Sequence, residues 1–208
     1  NIDSLQKVDK VDGLLVQLPI PPHLNAEKLI NAVHPDKDVD GFHPRTKSIV
    51  PVAGAVMSIL EKIYENDPQW DDDDFFSWLK AKYIVVLGKG KTGGNPIIEL
   101  LKQIHCTIYV IDSKTQHKEE LTKQADIIIS AVGKREVVKP EMLKQGVILI
   151  GVGLNRDEQG IFGDYNEEDI KDTASYYTPS PGGVGPVNVA KLMENLVLAT
   201  EKRLQAML

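Results

Sequence analysis

Two short stretches near the start of the sequence place polar side chains where a ligand could be held. Gln17 ends an apolar run and is followed by Pro19 after one leucine. Asp38 and Asp40 flank a single valine, so an extended backbone would direct both carboxylates to the same side. An amide at a strand end also satisfies loop backbone, and paired acids occur more often in turns than in metal or acid–base sites. Neither stretch identifies a site by itself.

A third stretch, residues 178–186, reads TPSPGGVGP and lies directly before the last predicted helix. Its three glycines and three prolines predict a stiff, shaped loop in which the backbone approaches another group closely. A generic linker would be more polar and would lack Val184. The composition therefore favours a binding loop over a plain hinge.

A glycine-rich turn follows the apolar residues 83–87. It has the spacing G-x-G-x-x-G with one further glycine: Gly88, Gly90, Gly93 and Gly94. We interpret Asn95 as the N-cap of the next helix and Pro96 as its first residue. A strand that runs through such a turn into a helix offers free N–H groups and a positive dipole to a pyrophosphate. The motif alone is weak, but its flanks favour nucleotide binding over a purely structural turn.

These stretches must be positioned by regular elements, and the apolar patterning predicts an α/β fold. Strands are predicted in alternation with helices at residues 83–87, 107–111, 126–131, 147–151 and 176–177. Uniformly apolar strands in such an alternation indicate a parallel sheet covered on both faces. We also predict a strand at 11–18, a helix capped by Asn25, helices over 53–64 and 75–79, and a long C-terminal helix over 187–207. That last helix should pack against the 11–18 segment.

Composition narrows the functional classes. The 208 residues are 42% hydrophobic and 26% charged, as is usual for globular proteins, and the net charge of −6 argues against a nucleic-acid partner. Cys106 is the single cysteine, which excludes an intrachain disulfide and indicates a reducing compartment. No apolar run predicts a membrane span. The acidic run 71–74 is interpreted as a solvated loop, so no metal site is expected. Because the sequence opens on Asn1, we interpret it as beginning partway through a larger protein.

Four stretches, in order, resemble the bifunctional methylenetetrahydrofolate dehydrogenase/cyclohydrolase family: VDGLLVQLPIP, KDVDGF, GKGKTGGNP and TPSPGGVGP. Smaller similarities lie at residues 125–133, 151–155 and 163–165. In that family a folate-binding catalytic domain and a Rossmann domain enclose a cleft. The enzyme oxidises 5,10-methylenetetrahydrofolate with NADP or NAD and hydrolyses the methenyl product to 10-formyltetrahydrofolate. The resemblance implies a Rossmann-type parallel sheet in residues 46–179 and the remaining part of an α/β folate-binding catalytic domain in 1–45 and 180–208.

The resemblance also implies roles for individual residues. Gln17 would help set the catalytic lysine, and Asp40 would hold the pterin ring. Substrate-binding residues would be Pro19, Gly182, Gly183 and Val184, the last three lying between folate and nicotinamide, where close ring stacking favours small residues. Cofactor-binding residues would be Gly88, Lys89, Gly90, Gly94, Pro96, Asp112, Ser113 and Gly133. The family's catalytic tyrosine and lysine lie upstream of all these positions, so we expect the present chain to bind cofactor without catalysing.

Two opposed features of the sequence bear on whether the cofactor is NAD or NADP. Asp112 ends the second predicted strand, where an acid usually binds the ribose 2′-hydroxyl and favours NAD. Lys89 and Ser113 instead match family positions that hold the 2′-phosphate of NADP, and Lys114 adds charge nearby. We expect NADP, with NAD as the alternative. The resemblance further implies a folate substrate, a homodimer, and a cytoplasmic enzyme of one-carbon metabolism and purine biosynthesis.

Two other hypotheses remain at this point. A non-catalytic relative that binds nucleotide or folate in a regulatory role would fit the residues Pro51, Val52, Ala53 and Gly54, where the family has Pro-Cys-Thr-Pro. An unrelated Rossmann dehydrogenase would leave VQLP and PGGVGP unexplained.

Overall fold

The computed structural model describes residues 2–8, 10–67, 74–158 and 160–207. Residues 71–73, most of the predicted acidic loop, lie outside the described residues. Asp74 is described, and its carboxylate accepts hydrogen bonds from the N–H groups of Phe76 and Ser77, so it caps the helix that follows.

The chain forms two compact units, one of Asn1–Gly54 with Asn188–Leu208 and the other of Ala55–Val187. The domain boundaries expected from the sequence, 1–45 with 180–208 and 46–179, remain a prediction. The helices, in chain order, are α1 (Ile2–Gln6), α2 (Ala26–Asn31), α3 (Pro51–Asn66), α4 (Phe75–Lys80), α5 (Gly94–Gln103), α6 (Lys118–Thr122), α7 (Glu167–Ile170) and α8 (Val184–Gln205). Short 3-10 turns lie at Pro35–Lys37 and Pro140–Met142.

The second unit is built on a parallel sheet, as predicted. The strands, in chain order, are β1 (Ile84–Leu87), β2 (Ile108–Ile111), β3 (Ile127–Ser130), β4 (Val147–Gly151), β5 (Leu154–Asp157), β6 (Gly160–Gly163) and β7 (Ala174–Tyr177). Five of them form one parallel sheet in the order β2-β1-β3-β4-β7, and β5 pairs with β6 in a separate antiparallel ribbon. All residues of β1, β3 and β4 are buried, which explains why their sequences are apolar apart from Ser130 at the end of β3.

Three expectations about individual elements were wrong. Residues 11–18 do not form a strand, because their only bridge among the described residues joins Leu14 to Asp38. Asn95 is not the N-cap and Pro96 is not the first helical residue, since α5 already begins at Gly94. The last helix begins at Val184 rather than at residue 187, so part of the predicted loop is helical. Pro96 in the first turn of α5 and Pro186 in the first turn of α8 are tolerated because the first four N–H groups of a helix lack intrahelical partners.

The predicted packing of the last helix in the first unit is confirmed. The Arg203 side chain donates hydrogen bonds to the Asp12 carboxylate. A Cβ atom on Gly13 would lie 2.7 Å from the Cδ1 atom of Leu196, so the backbone of the 11–18 segment lies close against α8. The β5–β6 ribbon was not predicted at all, because β5 (LNRD) is exposed along its whole length and β6 (GIFG) has two apolar side chains between glycines, so neither has a strand-like apolar pattern.

Candidate functional site

The carboxyl ends of the parallel strands meet at one edge of the second unit. Leu87 at the end of β1 pairs with Ile111 of β2 on one side and with Ser130 of β3 on the other. The strand order therefore changes direction at β1, and ligands of open α/β sheets bind at such a switch point. Gly88 follows β1 directly, and Gly133 lies in the loop after β3.

The glycines of the first turn serve two different purposes. Gly88 has a φ of +88°, and a Cβ atom there would lie 2.7 Å from the carbonyl oxygen of Ala131. A Cβ atom on Gly94 would overlap the carbonyl oxygen of Gly88. Gly90 has no atom within 4 Å of its added Cβ position among the residues that the structure describes. Gly88 and Gly94 therefore allow the turn to close on itself, whereas Gly90 borders open space that a ligand can enter.

The first turn of α5 combines an open approach with the positive end of the helix dipole. Pro96 is buried in this turn, so it shapes the helix start rather than presenting a polar group. The N–H groups of Gly93 and Asn95 both point to the carbonyl oxygen of Gly90 and close the turn. The dipole of a ten-residue helix makes this end electropositive and suited to a pyrophosphate.

Three charged or polar residues that were predicted to bind the cofactor lie together after β1 and β2. The Nζ atom of Lys89 is 2.8 Å from a carboxylate oxygen of Asp112. Asp112 also accepts hydrogen bonds from the Lys114 N–H and the Thr115 hydroxyl. The Lys89 ammonium first, and then the Lys114 N–H, hold the pKa of Asp112 far below its usual range. Ser113, next along the chain, is exposed.

The predicted binding loop after β7 is held by hydrogen bonds at both ends. The Ser180 N–H donates to a carboxylate oxygen of Glu167 at 2.8 Å, and the Gly183 N–H donates to the Pro179 carbonyl at 2.9 Å. Gly182 has a φ of +109° and is exposed, while Val184 is buried at the start of α8. The loop therefore presents the Gly182 backbone and not the valine side chain.

In the first unit, the two aspartates of the DVD sequence have different environments. The Asp38 carboxylate is buried and accepts hydrogen bonds from the N–H groups of Asp40, Gly41 and His43 at 3.2, 3.1 and 2.8 Å. Asp38 therefore forms the turn. Within the described part of the chain no hydrogen-bond donor reaches the half-buried Asp40 carboxylate, and burial first, then the Asp38 charge, raises its pKa. Asp40 is the acid left to bind a ligand.

Gln17 and Pro19 lie in the same unit but are exposed. The Gln17 amide donates to the adjacent Leu18 carbonyl at 3.0 Å, a local contact that any ligand could displace. The Leu14–Asp38 bridge places this segment beside the Asp40 loop.

Asn195 is a supporting residue that the sequence did not single out. Its amide on α8 donates to the carbonyl oxygens of Val39 and Ile49 at 2.9 and 2.8 Å, which pins the Asp40 loop at both ends. An asparagine among the apolar positions of the last helix was the only available signal.

Residues 2–8, 10–67, 74–158 and 160–207 contain no cluster of three or more histidine, cysteine, aspartate or glutamate side chains arranged for a metal ion. In the same ranges, none of the helices combines the length and apolarity that a membrane crossing requires.

Comparison with known proteins gives matches over nearly the whole chain. Residues 76–204 match the tetrahydrofolate dehydrogenase/cyclohydrolase NAD(P)-binding domain, and residues 1–40 match the catalytic domain of the same family. The bifunctional protein FolD of Lactococcus lactis is 37% identical over 98% of this chain and 71% of its own length. That of Methanoculleus marisnigri is 40% identical over 93% of this chain and 68% of its own length.

Solved structures agree. The Campylobacter jejuni FolD methylenetetrahydrofolate dehydrogenase/cyclohydrolase superposes with a TM-score of 0.86 at 37% identity, covering 97% of this chain and 71% of the other. The Trypanosoma brucei FolD, solved with NADP cofactor and an inhibitor, superposes with a TM-score of 0.84 at 27% identity, covering 98% and 71%.

Proposed function

The chain belongs to the tetrahydrofolate dehydrogenase/cyclohydrolase family, and on that premise we propose that it serves the NADP-dependent oxidation of 5,10-methylenetetrahydrofolate to 5,10-methenyltetrahydrofolate and the hydrolysis of that product to 10-formyltetrahydrofolate. The observation that carries the proposal is the glycine turn at the switch point of the parallel sheet, where Gly90 leaves open space at the start of α5. The family match indicates which substrate and which reaction belong to a protein with this glycine turn. The non-catalytic alternative has only the changed residues at Pro51–Gly54 in its favour.

The second unit would bind the dinucleotide. The α5 N-terminus and the Gly88–Gly94 turn would hold the pyrophosphate, with Lys89 and Ser113 beside the 2′-phosphate. Gly133 and the Gly182–Val184 loop would lie against the nicotinamide end. When bound, NADP accepts the hydride; the chain's own residues orient it and exclude water from its reactive face.

The first unit would bind the folate. Asp40 has a half-buried carboxylate with no donor from the described residues, so it can accept two hydrogen bonds from the N–H groups of the pterin edge. Gln17, on the neighbouring segment, would exchange its weak contact with Leu18 for one to the reaction centre. Pro19 would form part of the pocket wall.

Two measurements test the proposal. The chain should bind NADPH in a fluorescence titration, with weaker binding of NADH. The protein should reduce NADP when given methylenetetrahydrofolate and should hydrolyse the methenyl compound without any nucleotide. NADPH binding without either activity would favour the non-catalytic alternative instead.

The oligomer and the cellular role are further parts of this proposal. We expect a homodimer formed through the cofactor-binding unit, where Leu154 and Ile161 on the β5–β6 ribbon are exposed. Sedimentation equilibrium would measure the mass, and a monomer at micromolar concentration contradicts the dimer. We place the enzyme in the cytoplasm, where it would supply one-carbon units to purine biosynthesis. Rescue of a purine-requiring strain that lacks its own family member tests this role.

A further inference from the structure

Asp164 fixes the loop that follows β3. It is fully buried, and its carboxylate accepts four hydrogen bonds: from the Ser130 hydroxyl at 2.6 Å and from the N–H groups of Val132, Gly133 and Lys134 at 2.9, 2.6 and 2.9 Å. Three consecutive backbone donors aimed at one carboxylate leave residues 131–134 little freedom. The position of this loop therefore depends on the side chain of the residue that directly follows β6.

Tyr165, the next residue, fixes the other loop at this edge. Its buried hydroxyl donates to the Thr178 carbonyl at 2.5 Å, and the Thr178 hydroxyl accepts from the Gly151 N–H at 2.8 Å. Burial raises the pKa of Tyr165 to about 12, so the hydroxyl keeps its proton and remains a donor. Thr178 begins the loop that contains Gly182, so one tyrosine anchors the root of that loop.

The surrounding glycines show that both side chains are closely packed. A Cβ atom on Gly151 would lie 2.8 Å from the Tyr165 hydroxyl oxygen, and one on Gly153 would overlap the Asp164 carboxylate. A Cβ atom on Gly163 would lie 2.5 Å from the Ser180 hydroxyl oxygen. The sequences GVG and GDY thus fit each other, because the glycines leave room for the two anchoring side chains.

The loops after β3 and β7 flank the end of β4, which lies between those strands in the sheet. We propose that Asp164 and Tyr165, together the Asp164–Tyr165 bracket, are positioning residues that hold these two loops at the separation required by the nicotinamide ring. Both side chains are buried, so they act through Gly133 and through the Gly182–Val184 loop and do not touch the cofactor. The inference rests on the proposed function, in which these loops contact the nicotinamide.

A purely structural role would affect the whole molecule, whereas a positioning role affects one half of the cofactor. The experiment therefore compares two ligands. One is NADPH, and the other is adenosine 2′,5′-bisphosphate, the part of NADP that lacks the nicotinamide, its ribose and one phosphate. The variant Tyr165→Phe removes only the hydroxyl. The matched control is Tyr177→Phe, because Tyr177 lies on β7 of the same sheet, is 37% exposed and takes no part in the bracket.

We expect Tyr165→Phe to raise the Kd for NADPH about tenfold, because the Thr178 carbonyl loses a buried donor and the loop shifts. Affinity for adenosine bisphosphate should change by less than about twofold, as should both affinities in Tyr177→Phe. Asp164→Asn, which keeps one acceptor oxygen but loses the other, should give the same selective loss for NADPH. The dehydrogenase kcat should fall in both bracket variants while methenyl hydrolysis, which uses no nicotinamide, is retained.

Unchanged NADPH affinity in both bracket variants would overturn the inference. So would an equal loss for NADPH and adenosine bisphosphate, because that pattern reports general damage to the unit. If the unsubstituted chain binds neither ligand, the proposed function fails and the inference fails with it, an outcome that the wild-type titration alone identifies.

Discussion

The two units hold their candidate residues by different physical means. In the second unit, Gly88 and Asp112 directly follow strands of one parallel sheet, so many backbone hydrogen bonds together fix their positions. In the first unit, Asp40 lies in an irregular loop whose position depends on two side chains, Asp38 and Asn195. A ladder tolerates side-chain changes, whereas a pinned loop does not.

The two regions should therefore fail in different ways. The glycine turn after β1 is sensitive to added atoms, because its glycines lie where two backbone segments touch. The Asp40 loop is sensitive to removal of the polar groups of Asp38 and Asn195 that hold it. Substitutions that add a methyl group in one unit and remove a polar group in the other separate the two mechanisms.

The largest effect is expected for Gly94→Ala. The new Cβ atom would overlap the Gly88 carbonyl, which is backbone and cannot move without opening the turn. We expect a loss of about 3 kcal/mol in the free energy of unfolding and no measurable NADP binding. Urea unfolding and calorimetric titration would measure the two quantities.

Gly90→Ala is the matched control for this change. Because nothing lies within 4 Å of its added Cβ position in the described structure, we expect the free energy of unfolding to change by less than about 0.5 kcal/mol. NADP affinity should still fall, since the methyl group occupies space meant for the ligand. Equal destabilisation by both substitutions would contradict the distinction between the two glycines.

Asp40 should show the next largest effect, on folate and not on cofactor. Asp40→Ala removes charge-assisted hydrogen bonds to the pterin, which we expect to weaken folate binding by roughly 1.5–3 kcal/mol. NADP affinity should be unchanged. If equilibrium folate binding and both activities were unaffected, the assignment of Asp40 to the pterin would be wrong.

The same residue predicts a pH dependence of stability. Because the folded-state pKa of Asp40 is raised above the unfolded value, its ionised form destabilises the fold, and this penalty is relieved as the pH falls through the folded pKa. Asp40→Asn should therefore unfold at higher urea concentration than wild type at neutral pH. The difference should shrink in acid, below the pKa of the unfolded aspartate. A variant less stable than wild type at neutral pH would contradict this.

The cofactor edge could be predicted from sequence because its causes are local. An apolar run, a glycine turn and a helix follow one another at residues 83–104, and the parallel sheet aligns the strand ends without further information. The helix start was misplaced by two residues because Asn95 and Pro96 fit the first turn in more than one register. Residues 11–18 were predicted as a strand from their apolar pattern, but strand pairing also needs a neighbour, and only Leu14 finds one.

The supporting residues could not be predicted because their partners are distant in sequence. Asn195 bonds the Val39 carbonyl, and Asp164 bonds the loop after β3, across many intervening residues. Nothing in the local pattern of an asparagine or an aspartate indicates such a partner. The residues that we propose to contact a ligand were identified by motif, whereas the residues that hold those motifs in place needed coordinates.

Asn195→Ala should have a smaller effect than the loss of Asp40. The hydrogen bond to the Ile49 carbonyl is exposed and the one to the Val39 carbonyl is partly buried, so we expect a loss of about 1 kcal/mol in stability and a moderate rise in the folate Kd. Glu201→Ala, on the exposed side of the same helix, is the control and should change neither. A change in NADP affinity without a change in folate affinity would contradict the assignment of Asn195 to the Asp40 loop.

The smallest expected effect concerns the choice between NADP and NAD. Lys89 is exposed and already paired with Asp112, so its contribution to a 2′-phosphate is limited by solvent and by that competing carboxylate. Lys89→Ala should weaken NADP binding about fivefold and leave NAD binding nearly unchanged.

Asp112→Asn should strengthen NADP binding, because the lysine is released and a negative charge is removed. Since the pKa of Asp112 lies far below neutral, this carboxylate stays ionised between pH 6 and pH 8, roughly the physiological range, and the preference should not vary there. Calorimetric titrations of wild type and both variants with each cofactor would measure these changes. A wild type that prefers NAD, with the preference lost in Asp112→Asn, would mean that Asp112 binds the ribose hydroxyl and that Lys89 only neutralises it.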